Sequence, residues 1–172
     1  PRGQADEMSL GAVHKQLWEP VGVGTETAEE AADSQTNDTQ TTVAPTAFFM
    51  HSVDDPVGFG RIAATNALAD IYAMGGTPLM ALAIVGMPIH VLPHAVIAKI
   101  LEGGESVCRD SGIPLAGGPS IDSVEPIYVL AGIGSVNPKQ PKRHACAQAR
   151  GVLLPGKPLG SRSLPPPSIK TI

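Results

Sequence analysis

Residues 53–76, VDDPVGFGRIAATNALADIYAMGG, restrict the fold more than any other part of the chain. Asp54 and Asp55 stand before Pro56, the pattern of a turn in which Asp side chains bond to the backbone. From Val57 the spacing becomes helical. Ala63, Ala64, Ala67 and Ala69 let this helix lie very close to a sheet or a second helix. Gly75-Gly76 is a strong stop. Ile62, Thr65, Ala69 and Ala73 make one stripe, with Asn66 and Asp70 one turn apart beside it as an inward polar pair. A carboxylate on the buried side of an apolar helix is costly unless something compensates it. Asp70 therefore reads either as a metal or ligand group or as a core acid satisfied internally.

Around this helix the pattern alternates. Residues 1–20 carry a weak helical pattern through Leu10, Val13 and Leu17. Residues 25–42 are polar, acidic and Thr-rich, and composition predicts a solvated loop. Residues 43–53 read as a strand centred on Phe48, Phe49 and Met50. Residues 78–87 are a buried-strand run. Leu92-Pro93 starts a second helix, with Val96, Ile97, Ile100 and Leu101 on its apolar face, running on through Gly103-Gly104 to Arg109. Residues 112–116 read as a short strand ending in Gly117-Gly118-Pro119-Ser120, residues 126–136 as the last clear strand, and residues 152–154 as a further possible one. The alternation predicts an α/β or α+β fold. Aromatic residues are only 3% of the chain, so the core must be built from Ala, Val, Leu and Ile. Residues 161–172 have no periodicity and include a triple proline, which predicts a disordered tail.

The net charge of -4 argues against a nucleic-acid or anionic-membrane partner. Charged residues, at 16%, are sparse enough to fit a hidden interface or a fragment of a larger fold. Cys108 and Cys146 lack metal-type spacing and read as reduced thiols of a cytoplasmic protein. The apolar run at residues 80–92 is interrupted by Gly86, Pro88 and His90, too short to span a bilayer, and no signal segment opens the chain. Nucleophile elbow, metalloprotease helix, P-loop and dinucleotide fingerprint are all absent. What remains is carboxylates near glycine turns: Glu29-Glu30, Asp54-Asp55, Asp70 and Asp122. Such oxygen ligands suit Mg²⁺, which commonly accompanies phosphate. Gly117-Gly118 offers backbone N–H groups suited to phosphate oxygens, although a Gly-Gly pair is also an ordinary turn.

Three blocks carry a specific resemblance: FFMHSVDDPVGFGRIAATNALADIYAMGGTPLMALAIVGMP, EGGESVCRDSGIPLAGGPSID and EPIYVLAGIGSV. They resemble selenophosphate synthetase, the selenide, water dikinase family of the PurM-like (aminoimidazole ribonucleotide synthetase) superfamily. The resemblance implies a PurM-like N-terminal domain over residues 21–160. Its mixed sheet would be packed by helices and would pair with a twin into a dimeric barrel. The strands at residues 48–53, 79–85 and 128–133 would form the pairing surface. It also implies a reaction in which ATP, selenide and water give selenophosphate, AMP and orthophosphate with Mg²⁺. By the same resemblance, Asp70 falls on an aspartate that binds metal and nucleotide, and Glu30 on a metal-binding aspartate. Thr27, Ala28 and Glu29 fall on a segment that contacts ATP. Gly118, Pro119 and Ser120 fall on a glycine turn that also contacts ATP, often across the dimer.

The chain departs from that pattern at several ligand positions. Ala47 stands where the family has an aspartate, and Pro119 where it has a histidine, which removes a side-chain donor and an N–H. Glu29-Glu30 replaces an Asp-Asp pair, one methylene longer at each position, which Mg²⁺ geometry does not treat as equivalent. The family's reactive Cys or selenocysteine and its Lys would fall before Pro1, and its second domain after the matching blocks. No catalytic residue is therefore expected within this sequence, and the chain by itself is expected to be impaired as a dikinase. Two rival expectations are a non-catalytic, pseudoenzyme-like dimerisation or regulatory module and an inactive fragment.

Overall fold

Asp55 starts the central helix by capping it. Its carboxylate accepts from the Gly58 N–H at 2.8 Å and from the Val57 N–H at 3.3 Å. Pro56, with no N–H to leave unpaired, takes the first turn. This helix, α1, spans Pro56–Ala73, and Gly75 follows it in the left-handed region at φ 76°. The computed structural model describes residues 31–50, 53–143, 148–152 and 154. Its other elements are β1 (Ala32–Asn37), β2 (Gln40–Ala44), β3 (Thr46–Met50), β4 (Thr77–Met87), α2 (His94–Asp110), β5 (Ser120–Asp122) and β6 (Ile127–Val136). The helical reading of residues 1–20 and the tail at 161–172 lie outside the described residues. No strand forms at Gly151, Val152 or Leu154.

The six strands form one mixed sheet with β6 at its centre. β4 runs antiparallel along one side of β6, and β5 runs parallel to β4 beyond it. On the other side β2 and β3 pair with β6 in one unbroken register, from Val43 opposite Gly134 to Thr46 opposite Ala131. They are one strand interrupted only at Pro45, which has no N–H for the ladder but whose carbonyl still accepts from Gly132 at 3.0 Å. β1 folds back on β2 as a hairpin whose turn is held by Asn37, whose side-chain oxygen accepts from the Thr39 N–H at 2.8 Å.

This hairpin corrects the expectation of a solvated loop through residue 42. Polarity misleads there because alternate residues turn inward. Ala31, Asp33, Thr41 and Val43 are all buried, while Ser34 to Gln40 are exposed. A second correction concerns residues 112–116. They do not form a strand; only Leu115 makes a single bridge to Ala81, and the true strand is β5 further on.

Both helices cover one face of the sheet. Ala81, Ala83, Val85 and Met87 of β4 and Tyr128 and Leu130 of β6 meet Phe59, Ala63, Ala64, Ala67, Leu68 and Ile71 of α1, and Ile100 and Cys108 of α2, in one buried cluster. The face of α1 that turns inward is thus not the predicted stripe. Thr65, Ala69, Ala73 and Asn66 are exposed, and Ile62 and Asp70 are half-buried. Apolar residues surround this helix on nearly all sides, so spacing alone did not choose the face; the fit of small residues to the sheet did.

α1 and α2 cross through glycines. A methyl group on Gly60 would collide with the Ile100 carbonyl and lie 2.9 Å from the Gly104 nitrogen; one on Gly103 would collide with the Val57 carbonyl. Beside the crossing, Arg61 donates to the Ser106 hydroxyl at 2.7 Å and lies 3.9 Å from Asp110. The opposite sheet face carries Met80 and Leu82, 37% and 36% exposed, beside half-buried Ile84, Ala131 and Ile133. No described element covers it.

Tyr128 lies fully buried beneath α2, edge-on to Phe59 with ring centroids 6.4 Å apart. Its hydroxyl faces Gly104 and has no hydrogen-bond partner among the described residues. Burial, and then the neighbouring Cys108, push the phenol up from its ordinary range. Burial, with Glu105 nearby, does the same to the Cys108 thiol, keeping it in its unreactive form. An unpaired buried hydroxyl contributes nothing to set against its desolvation. Tyr128→Phe should therefore leave stability unchanged or raise it by about 1 kcal/mol in urea denaturation. A loss of about 1 kcal/mol or more would show that the hydroxyl is bonded.

Candidate functional site

The candidate residues fall into three places. The first is the last turn of α1. Asp70 lies there half-buried, and its carbonyl accepts from the Met74 N–H at 3.2 Å. Its neighbour Ile71 is wholly buried and packs directly over Gly134 of β6. Met74, one turn on, joins Ala31, Val43 and Val136 in a second buried cluster. Asp70 therefore stands where α1 ends above the β1–β2 side of the sheet.

The second place is the segment that leads into β5. It lies along the edge of β4 through four backbone bonds. The Ala81 and Ala83 N–H groups donate to the Pro114 and Gly117 carbonyls at 3.1 and 2.8 Å. The Ala116 N–H donates to the Ala81 carbonyl at 2.8 Å, and the Val85 N–H to that of Pro119 at 3.0 Å. Gly117 and Gly118 have φ of 103° and 152°, and Gly118 presses against the Ala83 carbonyl with no room for a side chain. Gly118, Pro119 and Ser120 are exposed on this seated segment.

The third place is β3, where Ala47 pairs with Leu130. Leu130 pairs on its other side with Ala83, which reaches Gly117. Ala47 and the glycine turn thus share one row across the sheet, three strand spacings or roughly 14 Å apart. One chain does not bring them together. Thr27, Ala28, Glu29 and Glu30 lie outside the described residues.

The other carboxylates have structural duties or are solvated. Asp55 caps α1, and Asp54 is exposed. Asp122 ties two loops, accepting from the Ile89 N–H at 3.4 Å and standing 3.7 Å from His90. Among the described residues no three acidic, His or Cys side chains gather as a metal cage. No described helix is long and apolar enough to cross a membrane.

Sequence reasoning passed over Asp33. It is 5% exposed, and its Oδ1 is buried with no hydrogen-bond partner among the described residues. It stands in β1 opposite Val43, which stands opposite Gly134, the residue under Ile71. The signal that would have found it is the alternation of Ala31, Asp33, Thr41 and Val43, diluted by the surrounding threonines and acids. A buried carboxylate oxygen without a partner is costly in apolar surroundings.

Residues 28–136 match the family described as AIR synthase related protein, N-terminal domain. The chain is 74% identical over 146 residues to a protein named selenide, water dikinase from Pseudomonas straminea, covering 85% of this chain and 41% of that protein. It is 70% identical over 138 residues to one of the same name from Paraburkholderia xenovorans, covering 80% of this chain and 39% of that protein. The chain thus spans about two-fifths of the length of these relatives. Among solved structures it is similar to AaThiL complexed with AMPPCP and TMP, with a TM-score of 0.63 at 18% identity over 74% of this chain and 40% of that one. It is also similar to T. maritima PurL complexed with ATP, with a TM-score of 0.57 at 21% identity over 64% of this chain and 20% of that one. At these identities the structural likeness establishes the fold: a mixed sheet backed by helices.

Proposed function

The chain belongs to the AIR synthase related family through its N-terminal domain, and on that premise we propose that it is the ATP-binding domain of a selenide, water dikinase. The reaction is the conversion of ATP, selenide and water to selenophosphate, AMP and orthophosphate. The observation that carries this reading is the 74% identity to a protein of that name. The ATP-binding unit is residues 21–160. Its nucleotide-contacting residues are Thr27, Ala28, Glu29, Ala47, Asp70, Gly118, Pro119 and Ser120, and Glu30 and Asp70 would hold Mg²⁺.

When bound, Mg²⁺ neutralises phosphate charge during transfer. Asp70 contributes a carboxylate from a helix clamped to the sheet by Ile71. Rigid support of this kind keeps a ligand oxygen in place. The Gly117–Ser120 segment contributes backbone fixed to β4. We place the protein in the cytoplasm as a homodimer whose exposed sheet face, with Met80, Leu82 and Ile84, meets its twin. The roughly 14 Å between Ala47 and the glycine turn within one chain suits a site drawn from two chains.

Titration calorimetry with ATP and Mg²⁺ tests the reading. The 172-residue chain should bind, and Asp70→Ala should weaken that binding at least tenfold, about 1.4 kcal/mol. Nucleotide affinity indifferent to Asp70→Ala would refute the assigned site. Because Ala47 and Pro119 remove ligating groups, a second reading is a non-catalytic dimerisation module. No nucleotide binding, together with stable co-purification with a full-length dikinase, would favour it. Selenide-dependent AMP formation would exclude it.

A further inference from the structure

We propose that Asp122 is a positioning residue for the glycine turn. Its carboxylate fastens β5 to the bend that follows β4, and so fixes where residues 118–120 stand. This deepens, and rests on, the reading of Gly118, Pro119 and Ser120 as nucleotide contacts.

The need for such a fastening lies in β5 itself. It is an edge strand beside β4 and spans only Ser120–Asp122. All three residues are exposed, and Ile121, its one apolar side chain, is 63% exposed. No residue of β5 joins the buried cluster beneath the helices. A strand with nothing buried is held by its backbone bonds and by side-chain ties alone, and it opens locally when these are few. The backbone bonds sit at its two ends. The Val85 N–H donates to the Pro119 carbonyl at 3.0 Å, and the Ser123 N–H donates to the Met87 carbonyl at 3.2 Å.

Asp122 adds the side-chain tie. It stands opposite Met87 at the far end of β5. Its Oδ1 accepts from the Ile89 N–H at 3.4 Å, and its Oδ2 lies 3.7 Å from His90 Nε2. The bend that it grips is itself firm. The Val91 and Leu92 N–H groups both donate to the Pro88 carbonyl, at 2.9 and 2.8 Å, and Leu92 packs against the core. A short, exposed strand is thus pinned to a rigid bend just beyond Ser120. Releasing that pin lets β5 fray from its far end back toward Pro119.

The direction of the effect separates positioning from charge. Removing a carboxylate near a polyanionic nucleotide would by charge alone tighten binding. Loss of positioning weakens it.

Titration calorimetry with ATP and Mg²⁺ on the full 172-residue chain, joined to hydrogen exchange, tests the proposal. Asp122 is exposed, so its variants keep the core intact. Asp122→Ala should weaken ATP at least about threefold. It should also speed exchange at Ile89 and Ser123, while Ala81, bonded to Pro114 away from β5, exchanges as in the parent. Asp122→Asn keeps an oxygen for the Ile89 N–H without the charge, and should bind ATP within about twofold of the parent. ATP affinity in Asp122→Ala equal to or tighter than the parent's overturns the proposal, as does unchanged exchange at Ser123. Absence of ATP binding by the parent chain sinks the nucleotide reading and this inference with it. Parent binding that is indifferent to Asp122→Ala sinks this inference alone.

Discussion

Gly103→Ala should cost about 3 kcal/mol or more and lower the thermal midpoint by roughly 6–12 °C, at about 2–4 °C per kcal/mol for a chain of this size. The added methyl would meet no flexible side chain. It would strike the Val57 carbonyl and come within 3.0 Å of the carbonyl carbon and 3.1 Å of its Cα. Those atoms belong to the first turn of α1, which Asp55 holds in place. Gly60→Ala attacks the same crossing from the other helix, against Ile100 and the Gly104 nitrogen. Overpacking of two rigid backbones is relieved only by separating the helices, which opens the core around Phe59 and Ile100. Gly112→Ala is the matched control. Its φ is 73°, but nothing lies within 4 Å of the new methyl, so only backbone strain of about 1 kcal/mol applies. If Gly103→Ala costs no more than Gly112→Ala in the same urea series, the close crossing is wrong.

Gly118→Ala should unseat the segment that precedes β5. Its methyl would overlap the Ala83 carbonyl, and the backbone there, at φ 152°, rarely accepts a side chain. To relieve the clash the chain must lift from β4, giving up the Ala83-to-Gly117 and Val85-to-Pro119 bonds. We expect a stability loss of about 2 kcal/mol, from two backbone bonds and the added strain. We also expect at least a tenfold loss of ATP affinity, because the backbone proposed to meet the nucleotide would be displaced. Hydrogen exchange at Ala83 and Val85 reads the local event directly. Unchanged protection at both amides with unchanged ATP affinity would show that Gly118 is not a seated part of the site.

How much of this was legible in the residues differs from element to element. α1 was readable at both ends because its signals are local: an Asp cap, a Pro in the first turn and a left-handed Gly after the last. α2 was readable for the same reason, although Pro93 itself stands as the N-cap, with no side-chain bond. β4 and β6 were clear from continuous runs of apolar and β-branched residues. The β1–β2 hairpin was not legible, since its inward residues include Asp33 and Thr41, and polarity outweighed the alternation. The segment before β5 was misplaced because its bonds to β4 satisfy strand geometry at one residue only, and its glycines follow a path no propensity describes.

The candidate site divides along the same line. Asp70 stood out because a carboxylate in an alanine-rich helix is conspicuous in any context. Its inward orientation held only in part, with Asp70 half-buried and Asn66 exposed, because an almost uniformly apolar helix has no preferred face until a sheet selects one. That selection came from Gly132 and Gly134 of β6, which leave room for Ile71, and from Gly60 and Gly103, which let the helices touch. By itself, then, the sequence determined where the helices and principal strands begin and end, and to which family the chain belongs, because caps, breakers and long matching blocks act through neighbours in the chain. Only the tertiary structure decided which side of α1 is buried, that Asp33 is buried opposite Val43, and that Ala47 and Gly118 stand apart. Those facts depend on contacts between residues far apart in sequence, where close packing, not local propensity, sets the outcome.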